Sequence, residues 1–305
     1  MAGSQDFSPD PRNAQALIYL NGRLIPRAEA KVSLFDAGFL VGDGIWEGIR
    51  LHKGALLFVE EHLDRLYWGA QQISLDIGLD RSALLSELKR TIDTNQMHDG
   101  VHIRLMVTRG EKSAPNQDPR NALGKPTVAI VAEYKLPNPK LMTKGLSLAT
   151  SNVICTPAEM FDMRLNSHSR LNLIKALLQA IEAGADEALM LDPLGYVSSC
   201  NATNFFFVRG GVVTTSKGAY CFNGVTRSHV INLCRGAGIP VELRDFALPE
   251  VHAADEAFVT GTFGGITPVR AIDENPLSGA LPGPTTQRVH QLYVGLQDAQ
   301  ATPNA

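Results

Sequence analysis

Several familiar devices are missing from this sequence. No apolar run approaches the roughly 18 residues of a membrane-spanning helix. Only four cysteines occur, Cys155, Cys200, Cys221 and Cys234, and no two form a Cys-x-x-Cys pair. Thiols this scattered exclude a disulfide framework and suit a reducing compartment. Basic charge is not in excess: 28 Lys and Arg stand against 31 Asp and Glu, a net charge of -3. No cationic field therefore points to nucleic acid or to a membrane surface. The start, MAGSQDFSPDPRN, is polar and has no signal-peptide core. No repeat with a period of about 20–50 residues and no low-complexity tract is present. These absences leave a soluble, globular, cytoplasmic protein as the expectation.

What is present is ample for a large core. The chain has 305 residues, 44 % of them hydrophobic, and a length that suggests about two domains. Residues 1–13 read as a disordered leader, 14–134 as a small N-terminal domain, 135–140 (KLPNPK) as a linker, 141–296 as a larger domain and 297–305 as a tail. Asn21-Gly22 and Lys53-Gly54 mark two hairpin turns between alternating apolar runs. Leu63, Leu66, Ala70 and Ile73 are spaced for a helix over 60–73, and Leu84, Leu85, Leu88 and Ile92 for one over 82–94. VHIRLMVTRG and PTVAIVAEY read as strands.

The central stretch, Phe161 to Val208, reads as loop, helix, strand, tight turn, strand. Its helix carries Leu173, Ile174, Leu177, Leu178 and Ile181 on one face, with Lys175, Gln179 and Glu182 on the other. Pro193-Leu194-Gly195 joins strands over 188–192 and 204–208. A helix over 228–236 follows Asn223-Gly224-Val225-Thr226-Arg227, and EAFVTGTFGGITPVRAID reads as one strand. The fold class is α+β.

Chemistry is signalled only weakly by single features. Val225 and Thr226 precede a helix, so their amides and hydroxyl can face an anion at its positive end. Gly261-Thr262-Phe263-Gly264-Gly265 offers backbone amides and a hydroxyl after a strand. His98 and His102 are four apart but span a turn into a strand, so no metal site is expected.

Read together, VSLFDAGFLVGDGIWEGIR, FVEEHLDRL, HIRLMVTRG, AGADEALMLDPLGYVSSCNATNFFFV, NGVTR and VTGTFGGITPVR resemble the class IV aminotransferases, the fold-type IV pyridoxal-phosphate enzymes. The resemblance runs from about Ala16 to Leu296 and implies a two-domain fold-type IV architecture. It implies a cofactor-phosphate cup of Arg65 (from His-x-x-Arg-Leu), Val225, Thr226 and Thr262. It also implies that Trp46, Arg50, Arg104 and Arg109 meet the substrate. A homodimer is implied too, because in this family the FDAGFLVGDG-type loop helps to line the partner's site; Val41 stands where the family often has Tyr or His.

The ring-binding positions depart from the family. Ser169 falls where the Schiff-base lysine is expected, three residues before Asn172, and Leu173 replaces a tyrosine. Ser199 falls where a glutamate pairs with the pyridine nitrogen. No lysine lies between Lys144 and Lys175. Serine has no basic nitrogen for an imine, and a hydroxyl cannot keep a pyridine nitrogen protonated. His168, Ser169 and Cys200 remain as catalytic candidates, Cys200 only if its pKa is lowered. The expectation is a divergent enzyme on this scaffold, with no covalently bound cofactor and with pyridoxal phosphate or another phosphate ligand in the cup. A branched-chain-like transaminase and a non-catalytic phosphate-ligand binder are the alternatives.

Overall fold

The expected turns form where glycine chemistry demands them. Asn21, Gly22, Lys53 and Gly54 take positive φ values of 48°, 87°, 47° and 83°, which closes both two-residue hairpins with the twist of their strands. A computed structural model describes residues 3–301. The chain divides into a small unit (Ser8–Leu136, Leu165–Arg170 and residues 300–301) and a large unit (residues 3–7, Pro137–Arg164 and Leu171–Ala299).

The small unit is built on a six-stranded antiparallel sheet. Its order is Arg23–Pro26, Leu17–Leu20, Thr127–Tyr134, Val101–Thr108, Gly44–His52, Ala55–Leu56. Helices Val59–Gln72 and Arg81–Thr94 bury Leu63, Leu66, Leu84 and Leu88 in the same core as Ile49, Ile103, Leu105 and Ile130. The large unit holds a nine-stranded mixed sheet with Asn204–Arg209, Glu256–Gly261, Gly265–Ile272 and Leu146–Thr150 at its middle. Phe205, Phe207 and Phe246 fill one part of its core. Among the described residues no helix is long and apolar enough to cross a membrane.

Four expectations about the chain path are corrected. The expected disordered leader is ordered from residue 3: Ser4 is 1 % exposed, and a 3-10 helix spans Pro11–Gln15. Met1 and Ala2, and residues 302–305 of the expected tail, lie outside the described residues, while the helix Pro284–Ala301 runs into that tail. The strand that pairs with Glu187–Leu191 across the Pro193–Gly195 turn is Val197–Cys200, whereas Asn204–Arg209 pairs with Val212–Thr215 and Glu256–Gly261. The long strand expected from EAFVTGTFGGITPVRAID is a hairpin of Glu256–Gly261 and Gly265–Ile272.

The central helix, Leu171–Glu182, turns its small residues inward. Ala176 and Ala180 are buried, whereas Leu171, Ile174, Leu178 and Ile181 are 77, 51, 60 and 46 % exposed. Alanines let the helix approach its sheet closely, and the branched residues are left as an apolar outer stripe.

Candidate ligand site

In the small unit the strand Gly44–His52 sets the chemistry by its period of two. Ile45, Glu47, Ile49 and Leu51 are each 1 % exposed or less. Glu47 is thus a carboxylate in an apolar row, facing the helix Val59–Gln72. His62 and Arg65, three apart on that helix, meet it there. Arg65 donates from Nε to Oε1 at 2.8 Å and from Nη2 to Oε2 at 2.6 Å, and His62 Nδ1 lies 2.8 Å from Oε2. Burial alone would raise the Glu47 carboxyl, but the charge and hydrogen bonds of Arg65, helped by His62, outweigh it and hold it at about 2. Arg65 is therefore committed to Glu47, a partner that the motif reading missed.

Trp46, Gly48 and Arg50 alternate onto the opposite face of that strand. Gly48 stands opposite Arg104 on the neighbouring strand, and the His102 ring lies 3.1 Å from where a Cβ on Gly48 would sit. The Arg104 guanidinium lies over Trp46, 3.2 Å from the centre of its ring. Burial lowers Arg104 to about 10, still cationic at neutral pH. Among the described residues it meets no carboxylate. Arg109 is placed differently. Its Nε and Nη2 grip both oxygens of Asp43 at 2.5 and 3.0 Å, and it donates to the carbonyls of Ile73 and Ser74. Four of the five guanidinium N–H groups thus hold the loop. Arg50 lies half-buried opposite His102.

The segment Leu165–Arg170 runs along the open edge of the strand. Trp46 N donates to Asn166 O at 2.9 Å, His168 N to Gly44 O at 2.9 Å, and Trp46 Nε1 to Ser167 O at 3.1 Å. Ser169 Oγ donates to Gly42 O at 3.1 Å, so its hydroxyl is spent on the αL residue that ends the helix Ala37–Val41. Burial, then the charge of Arg104, lowers His168 to about 4. It is neutral at pH 7, and among the described residues its buried Nε2 has no hydrogen-bond partner. Arg170 donates to Asn166 and lies 5.4 Å from the Trp46 ring.

In the large unit, Val225 and Thr226 are the first residues of the helix Val225–Gly236, not residues before it. Gly224 at the N-cap has no side chain to cap the first-turn amides. Thr226 Oγ1 lies 3.3 Å from Tyr293 Oη. Asn204 holds the chain leading into this helix, donating to Phe222 O at 2.6 Å and accepting from Gly224 N at 3.2 Å. Thr262 is half-buried in the hairpin turn after Gly261. Ser199 Oγ donates to Thr203 O at 2.8 Å.

Cys200 is corrected as a nucleophile. It is buried, and that burial pushes its thiol well above the ordinary range, away from the reactive thiolate. His168 and Ser169 lie in the small unit and Cys200 in the large; likewise Arg65 is in the small unit and Val225, Thr226 and Thr262 are in the large. Among the described residues no cluster of His, Cys, Asp or Glu is placed to hold a metal ion.

The chain as a whole matches known proteins. The family model for amino-transferase class IV matches residues 44–272. This chain belongs to the class IV aminotransferases. A branched-chain-amino-acid aminotransferase-like protein of Arabidopsis thaliana is 36 % identical over 295 residues, 97 % of this chain and 53 % of that protein. The chain thus spans about half the length of that relative. A D-alanine aminotransferase of Bacillus licheniformis is 33 % identical over 277 residues, 89 % of this chain and 94 % of its own. The branched-chain aminotransferase of the thermophilic archaeon Thermoproteus uzoniensis, solved with norvaline, superposes with a TM-score of 0.83 at 29 % identity, covering 93 % of this chain and 95 % of its own.

The residues present fit one end of a class IV aminotransferase cofactor. The uncapped amides at Val225 and Thr226 suit a phosphate. Ser199 and Ser169 each donate their hydroxyl to a backbone carbonyl, and neither offers a carboxylate or an amine.

Proposed function

We propose that this class IV aminotransferase-family protein holds a phosphate-bearing small molecule non-covalently, with Val225, Thr226 and Thr262 as phosphate contacts, and is a divergent enzyme that does not run lysine-dependent transamination. The observation that carries the reading is Ser169. It stands where the lysine is expected, and its hydroxyl is donated to Gly42 O. Serine cannot supply the imine-forming, proton-shuttling nitrogen that transamination needs. Lys175, the next lysine in the chain, is exposed on the central helix. His168 is the best-placed proton acceptor, neutral and with a buried Nε2 that among the described residues has no hydrogen-bond partner. Trp46 and Arg104 are the substrate-facing pair, able to meet a carboxylate. The four free, buried thiols fit a cytoplasmic location.

A homodimer is part of the proposal. Its support is the outward stripe of Leu171, Ile174, Leu178 and Ile181, and the exposure of Leu34, Phe35, Phe39 and Val41 in the small unit.

The deciding experiment adds pyridoxal phosphate to the purified protein. The expected result is no visible band discharged by borohydride and no lysine labelled by it. Inorganic phosphate or pyridoxamine phosphate should raise the melting temperature, because ligand at 100 times Kd stabilises by about 2.7 kcal/mol. A yellow protein with a reducible lysine would select the second reading, a pyridoxal-phosphate branched-chain aminotransferase, which the likeness to a branched-chain-amino-acid aminotransferase-like protein favours. A thermal shift without turnover of any amino-acid or keto-acid substrate would select a non-catalytic binder.

A further inference from the structure

The segment from Gly3 to Phe7 reaches two places in the large unit that flank Thr262. Ser4 N donates to Glu187 Oε1 at 2.9 Å. The other oxygen of Glu187 accepts from Thr203 Oγ1 at 2.7 Å. Thr203 in turn receives Ser199 Oγ at 2.8 Å and Cys200 N at 2.9 Å on its carbonyl. Its methyl group also lies 3.5 Å from where a Cβ on Gly261 would sit. The second place is the hairpin turn itself. The Phe7 ring meets Phe263 edge-on, centroids 6.5 Å apart. The Ser4 carbonyl comes within 3.0 Å of where a Cβ on Gly264 would lie. Asp6 anchors the far end, accepting from Asn138 Nδ2 at 2.9 Å.

We propose that residues 3–7 form a clamp, with Glu187 as its positioning residue, which fixes the turn carrying Thr262 and the strand end carrying Ser199. Thr262 directly precedes Phe263, whose ring meets Phe7, so the residue next to the phosphate contact is held by the clamp. Glu187 is 2 % exposed, and burial raises its carboxyl against the opposing donors of Ser4 and Thr203. A glutamine preserves an acceptor for Ser4 N and a partner for Thr203.

The inference rests on the proposed phosphate reading only for its functional consequence; the clamp itself is read by hydrogen exchange. Exchange is followed by mass spectrometry on the full chain, a variant lacking residues 2–7, Phe7→Ala, Glu187→Gln and Glu187→Ala. Losing one hydrogen bond or one ring pair should speed exchange at Gly261–Gly265 and at Ser199–Thr203 about tenfold. Exchange in the small-unit strand Val101–Thr108 should stay at wild-type rates, and Glu187→Gln should stay close to wild type. Unchanged exchange at Gly261–Gly265 in the deletion and in Phe7→Ala, or an equal rise across the whole chain, overturns the clamp even where Glu187→Ala fails to fold. Inorganic phosphate titrated into the wild type tests the functional reading separately: absent binding there sinks that reading, while the exchange result still decides the clamp.

Discussion

Replacing Arg65 by methionine should cost the small unit stability far more than a surface charge would. Glu47 is 0 % exposed and stays ionised because Arg65 grips both of its oxygens. Its carboxyl sits at about 2 against an ordinary 4.5. At about 1.4 kcal/mol per unit, that difference is worth about 3 kcal/mol at pH 7. Removing one partner of a buried pair independently costs about 3–5 kcal/mol, so the two routes agree. The pH dependence should also invert. In the wild type, a carboxyl whose folded value lies below its unfolded one contributes stability above pH 4.5 that is lost as pH falls toward 2. In Arg65→Met, burial is opposed by His62 and by the more distant charges of Arg104 and Arg170, so the carboxyl rises and the variant should be more stable at pH 4 than at pH 7. Urea unfolding followed by tryptophan fluorescence reads this unit directly, since both tryptophans, Trp46 and Trp68, lie within it. Adding Glu47→Gln to Arg65→Met should recover part of the loss, because no unpaired charge is then left buried. A single-variant loss below about 1 kcal/mol, with wild-type pH dependence, would refute the reasoning.

Three other outcomes follow from the same geometry, and a fourth from the proposed role of the Ser169 position. All four thiols are buried, and burial raises the pKa of Cys155 and Cys234 to about 12 and about 11; iodoacetamide at neutral pH should label none of them until urea is added, as read by intact mass. His102 and His168 are lowered to about 3 and about 4, chiefly by burial, so their protons go first to the unfolded chain. Their contribution to stability should be complete above pH 6.5 and decline as pH falls toward 4, and neither ring should titrate between pH 5.5 and 8 in NMR spectra. Leu178→Glu should give a monomer by light scattering with less than about 0.5 kcal/mol lost from the fold, because the side chain is 60 % exposed; a dimer that persists counts against that stripe as the interface. Ser169→Lys should give a borohydride-reducible band with pyridoxal phosphate yet negligible transamination, since Ser199 still offers no carboxylate; full activity in this single variant would show that the Ser199 position is not limiting.

What the sequence made legible was whatever is decided locally. Asn21-Gly22 and Lys53-Gly54 had to turn because the chain there needs positive φ, and the helix around Leu63 to Ala70 announced itself by spacing. Arg65 was marked by its motif, but its use was not, because Glu47 is 18 residues away on another element. A signal existed: Glu47 interrupts the apolar series Ile45, Ile49, Leu51 at a position of the same parity, and a charge in a buried row requires a partner. The strand Val197–Cys200 was missed because Ser198 and Ser199 carry no alternation, although the sheet buries all four residues. The leader was misread for a related reason. Its polar residues are satisfied by partners far along the chain, Ser4 by Glu187 and Asp6 by Asn138, and composition cannot count such bonds. Ser169 and Ser199 stood out in the sequence, but not the way each is closed off. Ser169 and Ser199 belong to different units, and each gives its hydroxyl to a backbone carbonyl, Gly42 and Thr203 respectively. A hydroxyl spent in this way is a packing group, not an idle reactant. Each hydroxyl proton is held on a carbonyl of the serine's own unit, so each serine acts first as a tie between neighbouring segments.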